Sequence, residues 1–378
     1  MARRIIQFGT SRFLQAHADL FVHEAREAGQ DIGPITIVKT TAGIERAGRI
    51  EAFARAEGFP VVVRGYAKGE LVDRTSRVTS VDQALSAMQD WAKLIDLLVG
   101  GTDIIFSNVG DSGYKVFATD RTYVPSRTAP PDGFPAKLLA LLHFRFAGSG
   151  ERLLMLPCEL ITGNGTVLRQ ILLELAANWQ LPEDFTAWLG GEVIICDTLV
   201  DRIVSEAIEP IGAIAEPYAL WAVAKDAKFP FPFTHPSIVV TENLEPYVRL
   251  KLHILNLGHT FLADIWLKQG RRKDETVREI LADGAVRKSL VTLYSDEVVP
   301  GFAAHGMGAA AAEYVDSTIE RFDNPFLNHR ISDIAENHAL KVERRAKAFI
   351  DWSRVSGRPL AMPRLERLLA SQQSTPSI

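Results

Sequence analysis

The segment EPYVRLKLHILNLGHTFLADIWL, 245–267, carries the residues with the clearest chemistry: Lys251, Asn256 and His259, in the spacing Lys-x-x-x-x-Asn-x-x-His. On an α-helix, at ~100° per residue, Asn256 falls ~140° round from Lys251 and His259 ~80° round, between the two. All three therefore share one face over about two turns, and Leu252, Leu255 and Leu262 occupy the same arc. Hydrogen-bonding groups on an apolar face are costly unless they are paired or turned to a ligand. Two readings follow. In one, Lys251 carries its ammonium out to solvent while Asn256 and His259 satisfy neighbouring backbone. In the other, Lys251 lies in an apolar site beside a cationic cofactor ring, loses its proton readily and serves as a general base. It would take the hydroxyl proton of an alcohol as hydride leaves the same carbon, with Asn256 and His259 donating to the oxygen. No metal is required. Cys158 and Cys196 stand 38 residues apart, and no clustered His/Glu pattern gives zinc-site spacing.

A second chemical feature is the run RIIQFG, 4–9, a short strand that leads into Gly9-Thr10-Ser11-Arg12-Phe13-Leu14. Glycine between a first strand and a helix is where a dinucleotide pyrophosphate meets backbone amides. Only the first position of Gly-x-Gly-x-x-Gly is met, so the segment is either such a cradle or a plain strand–helix turn. Lys39 ends the second strand, where an acid for the adenosine ribose is expected. With Arg46 and Arg49 nearby, it either favours a 2′-phosphate or belongs to a solvated surface.

These residues need a scaffold. Phe13, Leu14, Leu20, Phe21 and Ala25 sit on helical spacings, and ITIVKTTAG, 35–43, is a β-branched run ending in a turn. Strand, helix, strand is a βαβ unit and implies a parallel sheet. The alternation continues with a strand at 61–66, an amphipathic helix over Val81–Val99 and a strand opening TDIIFSNVGDSG, 102–113. A proline-rich loop at 124–135 precedes a strand and turn over 151–165, a helix over Thr166–Asn178 and a further strand and loop at 192–204. Beyond about residue 240 the pattern is helical, over 247–269, 274–293, 309–322, 327–352 and 363–371, with one possible strand, SIVVTE, at 237–242. The expected fold is an α/β domain with a mostly parallel sheet over 1–240 and an all-α domain over 241–378, joined without a Gly/Ser-rich linker.

Composition narrows the class. In 378 residues, Lys+Arg total 42 against Asp+Glu 46, so there is no basic excess of the kind that tracks nucleic acid. Hydrophobic residues make up 47%, yet no apolar run approaches the ~18 residues of a spanning helix, and the N-terminus has no signal-peptide core. A cytoplasmic chain with no nucleic-acid or membrane partner is expected, either monomeric or a small homo-oligomer.

The Lys251, Asn256 and His259 motif in KLHILNLGH resembles the signature of the long-chain mannitol dehydrogenase family. The resemblance runs nearly end to end: QFGTSRFLQAH (7–17), SNVGDSGY (107–114), LVDRIV (199–204), EPYALW (216–221) and RFDNPF (321–326) are similar to family blocks in the same order. It implies a Rossmann-type N-terminal domain, a helical C-terminal domain and metal-independent chemistry with NAD, NADP being possible. By position it implies Lys251 as general base, Asn256 as oxyanion-side donor and His259 as a substrate hydrogen-bonding residue, with Asp201 lining the pocket. Phe8, Gly9, Thr10, Ser11, Arg12, Phe13, Lys39, Asn108 and Asp111 are the cofactor-binding candidates. PCELITGNG (157–165) and HRISDIAENHALKVERR (329–345) resemble the tagaturonate reductase branch, which acts on a sugar acid. His329, Lys341 and Arg345 fall on positions of that branch. A cation suits a uronate carboxylate, although Lys341 and Arg345 equally fit a solvated basic helix face. Leu160 stands where the mannitol branch has asparagine, so Asn164 is the candidate to replace that donor. The expected substrate pair is tagaturonate and altronate or a close sugar acid. The alternatives are a polyol dehydrogenase of mannitol, arabinitol or altritol type, and a nicotinamide-binding protein without turnover.

Overall fold

The computed structural model describes residues 3–41, 47–110, 113–354 and 360–373. The chain forms two compact units. One comprises 1–63, 74–215 and 219–244; the other comprises 64–73, 216–218 and 245–378.

The strands begin with β1 (Arg3–Phe8), β2 (Ile32–Lys39), β3 (Phe59–Ala67), β4 (Glu70–Val78) and β5 (Val81–Ser86), the tip of β3 and the start of β4 belonging to the second unit. They continue with β6 (Thr102–Ser107), β7 (Leu153–Pro157), β8 (Val193–Ile195), β9 (Thr198–Asp201), β10 (Val204–Ala207), β11 (Ala213–Ala215), β12 (Leu220–Ala224) and β13 (Ile238–Thr241). The main sheet has the order β5-β2-β1-β6-β7-β8, and its pairings are parallel. A continuous helix, 12–27, makes the crossover from β1 to β2, which pair through Gln7↔Ile37. Strands covered on both faces read as near-continuous apolar runs, as LLMLP in β7 does with all five residues buried. On one face Ile6, Phe8, Ile105 and Met155 pack with Leu138, Leu142 and Leu172 from helices Phe134–Gly148 and Asn164–Asn178. Each such side chain contributes about 1.5–3 kcal/mol by leaving water.

Two small sheets, β10-β11-β3-β4 and β13-β12-β9, complete the strands, so SIVVTE does form one. The helix expected over Val81–Val99 is instead β5 followed by Trp91–Val99. Val81, Leu85 and Ser86 are buried against β2, and that pairing outweighs the helical spacing of the apolar residues.

In the second unit the helices are 245–269, Val277–Leu281, 284–303, Gly308–Phe322, Ile331–Ala335, 338–354 and Pro363–Gln373. The single helix expected over 327–352 is broken at Glu336 and Asn337, where Asn337 takes a left-handed conformation (φ 53°). Three of the helices contain π-turns, at Lys251–Asn256, Tyr294–Val298 and Glu343–Lys347. Among the described residues no helix is long and apolar enough to cross a membrane.

Candidate active site

Three loops at the carboxyl ends of β1, β6 and β7 are tied together in the first unit. Gly9 has φ +117°, and a Cβ there would overlap the Asn108 carbonyl oxygen, so only glycine lets the two backbones approach. Its N–H donates to Val38 O (3.0 Å), while Asn108 N–H donates to Phe8 O (2.9 Å). Ser11 caps helix 12–27: its Oγ accepts from Leu14 N (3.2 Å) and donates to Asn108 Oδ1 (3.2 Å). The Asn108 amide donates onward to Cys158 O (2.6 Å). Beneath them the buried Glu159 carboxylate accepts from Ser107 Oγ (3.0 Å), Val109 N (3.2 Å) and Tyr114 Oη (3.1 Å), and burial raises its pKa.

A close-approach glycine followed by a capped helix start fits a dinucleotide pyrophosphate. Ser11 takes the place of the second fingerprint glycine, and its side chain is used on the cap and Asn108. Arg49 reaches the same loop, donating to Thr10 O (3.2 Å). Phe8 contributes its backbone, since its ring is fully buried; Phe13 stacks on His17 with centroids 4.8 Å apart. Thr10 is half-buried and Arg12 exposed. Lys39 is only 8% exposed, which removes the reading of it as a solvated surface residue. Asp111 and Arg46 lie outside the described residues.

Asn164 is fully buried and its amide is committed. It donates toward Pro157 O (3.0 Å), Glu159 O (3.1 Å) and Thr198 Oγ1 (3.3 Å), and accepts from Thr198 N and Gly165 N (2.9 Å each). This makes it a strut between the β7 loop and β9, with no capacity left for a substrate oxygen. Leu160 is 72% exposed. Asp201 is buried at the end of β9, opposite Leu220.

In the second unit the helix 245–269 presents Lys251 and Asn256, both half-buried, and His259, which is 6% exposed. Lys251–Asn256 is a π-turn, which is wider than regular helix and so brings Lys251 and Asn256 closer together than the ~140° of an α-helical wheel. His259, three residues on in regular helix, follows Asn256 on the same face.

His259 packs on Phe322 (centroids 4.5 Å) and edge-on to His329 (4.7 Å). Burial, with His329 and Arg345 adding to it, holds the His259 pKa well below the usual imidazole value. Burial likewise pushes His329 down to about 4. Both rings are therefore neutral at neutral pH, each with one N–H to give. His259 Nε2 is buried and meets no hydrogen-bond partner among the described residues.

Arg345 Nη1 donates to Asn256 O (3.0 Å) and Thr260 Oγ1 (2.9 Å), and burial lowers its pKa to about 10. Lys341 Nζ donates to Ile334 O (2.9 Å); burial and the Arg345 charge lower its pKa. The structure thus gathers Asn256, His259, His329 and Arg345 around one helix. Neither cation lies on a merely solvated face, since both are half-buried and bonded to main chain.

Sequence reasoning assigned no role to Phe322, Tyr294 or the pair Arg321–Glu216. Arg321 donates to both Glu216 oxygens (2.9 and 2.8 Å) and stacks over Tyr218 at 4.2 Å. RFDNPF and EPYALW were visible as blocks, but nothing in either marks them as partners. Among the described residues no group of three or more His, Cys, Asp or Glu is arranged to hold a metal ion.

Comparison with known proteins adds independent findings. The family model for the mannitol dehydrogenase Rossmann domain matches residues 3–233, and that for the mannitol dehydrogenase C-terminal domain matches 243–355. The altronate oxidoreductase of Halalkalibacterium halodurans is 29% identical over 374 residues, covering 91% of this chain and 70% of the relative. That of Bacillus subtilis is 28% identical over 368 residues, covering 90% and 73%. Among solved structures, a D-sorbitol dehydrogenase in substrate-free form superposes with TM-score 0.81 at 19% identity, over 98% of this chain and 80% of that one. The Pseudomonas fluorescens mannitol 2-dehydrogenase ternary complex with NAD and D-mannitol gives 0.76 at 18% identity, over 98% and 78%. At those identities the structures show a shared fold.

Proposed function

The chain belongs to the mannitol dehydrogenase family and is a dehydrogenase acting on CH–OH groups of polyol or sugar-acid type, and from that premise we propose that it interconverts tagaturonate and altronate, or a close sugar-acid pair, with NAD. The observation that carries this reading is His259: a buried, neutral imidazole with an unpartnered Nε2, on the helix that also carries Lys251 and Asn256.

Bound NAD would supply the hydride acceptor, and its reduced form the donor. The loop at Gly9, Thr10 and Ser11, the start of helix 12–27 and Asn108 hold the dinucleotide, with Arg49 and Lys39 adding cations that allow NADP as well. Lys251 removes the substrate hydroxyl proton in oxidation and returns it in reduction. Asn256 and neutral His259 donate to the same oxygen, stabilising it as it gains negative charge. Because His259 does not titrate near neutral pH, its donor is present whatever the protonation state of Lys251. The carboxylate of the sugar acid pairs with Arg345, which stays charged at neutral pH, or with Lys341, each of which has donors beyond its main-chain bond. His329, beside His259, binds a sugar hydroxyl.

A screen of NADH and NADPH against ketoses and keto-uronates, followed by the nicotinamide absorbance, tests the proposal. Turnover with tagaturonate above that with fructose is expected; turnover confined to simple ketoses would shift the assignment to a polyol dehydrogenase.

A further inference from the structure

Lys251 and Asn256 act together only if they share a helix face, and five residues apart they would lie ~140° away from each other on a regular α-helix. The wider π-turn brings them closer to one face, and its carbonyls lie open to donors from outside the helix. Ile254 O already accepts from Leu257 N–H, and its second lone pair can take an outside partner.

Tyr294 is that partner. Its hydroxyl donates to Ile254 O, in the middle of Lys251–Asn256, at 2.9 Å. The side chain is 1% exposed, and burial raises its pKa, so it stays a protonated donor across the working pH range. Gly258 leaves room for it. A Cβ at Gly258 would overlap the Tyr294 hydroxyl oxygen and come within 3.1 Å of Cζ and 3.2 Å of Phe322 Cε2. At the end of the π-turn, Arg345 Nη1 and Thr260 Oγ1 both donate to Asn256 O (3.0 Å each).

We propose that Tyr294 is a positioning residue of this enzyme: its hydroxyl holds open the π-turn that brings Lys251 and Asn256 onto one face, and residue 258 is glycine so that this hydroxyl can reach Ile254. The catalytic consequence rests on the reading of Lys251 as base; the structural statement stands on geometry alone. Tyr294 touches no reacting atom. Its effect on rate passes through the helix, which predicts loss of kcat with little change in KM.

The test uses the full chain as wild type, Tyr294→Phe, Gly258→Ala and the double variant, with NADH and tagaturonate. Tyr294→Phe keeps the ring and removes one oxygen. Its kcat is expected to fall tenfold or more, with KM within about twofold and the melting temperature within a few degrees. Gly258→Ala should lose at least as much. In the double variant the new methyl no longer meets a hydroxyl, though it still crowds Cζ and Phe322, so its loss should be well below the product of the two single losses. Hydrogen exchange over 250–260 should speed up in Tyr294→Phe while the first unit is unchanged. A kcat within twofold of wild type in Tyr294→Phe, or a double variant whose loss is the product of the two single losses, overturns the proposal. If wild type turns over no ketose or keto-uronate, the Lys251 reading fails instead. The exchange measurement then decides the structural half: unchanged exchange in Tyr294→Phe overturns it.

Discussion

Replacing Arg321 by methionine removes one half of an ion pair that has almost no access to water. The Arg321 and Glu216 side chains are 2% and 1% exposed, and the guanidinium bonds both carboxylate oxygens. Burying both charges is paid for by their mutual attraction, so the pair itself contributes little net stability. Losing one partner is different, because the other charge stays buried without its two-bonded counterpart, at about 3–5 kcal/mol. Stacking over Tyr218, worth about 0.5–2 kcal/mol, disappears as well. With a urea dependence of about 3 kcal/mol per M, the unfolding midpoint should drop by about 1.2–2.3 M for Arg321→Met. Glu216→Leu should cost a similar amount. The double variant Glu216→Leu/Arg321→Met exchanges the pair for apolar groups and should lie within about 2 kcal/mol of wild type. Urea unfolding followed by far-UV circular dichroism on the four proteins reads the coupling. Single variants that each cost under about 1 kcal/mol, or a double variant whose cost equals their sum, would refute the reasoning. Because Phe322 follows Arg321 and packs on His259, the single variants should also lower kcat.

Other expectations follow from particular residues. Gly9→Ala adds a Cβ against Asn108 O at φ +117°, a strain of about 1–3 kcal/mol, and should weaken NADH binding tenfold or more in a fluorescence titration. Asn164→Ala leaves the buried Thr198 and Gly165 N–H groups unpaired and should cost about 2 kcal/mol or more in denaturant unfolding; a near-neutral change would show it is no strut. Burial raises the Asp19 carboxyl to about 8, with Gln7 partly opposing, so the folded chain binds a proton that the unfolded chain releases above about pH 4. Its stabilising contribution is complete below the unfolded pKa and is lost as pH rises toward 8. Asp19→Asn should therefore gain melting temperature relative to wild type between pH 5 and pH 8; a constant difference across that range contradicts the sign.

The sequence made the main sheet legible because its strands are buried on both faces and read as short apolar runs ending in glycine or polar turns, as RIIQFG and ERLLMLP do. Edge and connecting strands were harder. β5 carries apolar residues at spacings that also suit a helix, and the short β10, β11 and β12 have too few residues for a period to appear. The chemistry of Lys251, Asn256 and His259 was visible as residue types on one face, but the π-turn that carries them was not, since no local propensity announces one. Tyr294, 36 residues after Gly258, becomes meaningful only through a contact that packing creates. Buried Asn164 shows the converse: an amide in a glycine-rich turn looked available and proved fully bonded.

The central claim is that Lys251 is the base for hydride transfer between a nicotinamide and a keto-uronate. Its most direct test is the rate of NADH oxidation with tagaturonate by wild type and Lys251→Ala, with NADH affinity measured on both. Measurable wild-type turnover that falls a thousandfold or more in the variant, at unchanged NADH affinity, is the predicted result. A variant that retains more than about a tenth of the wild-type rate would contradict it.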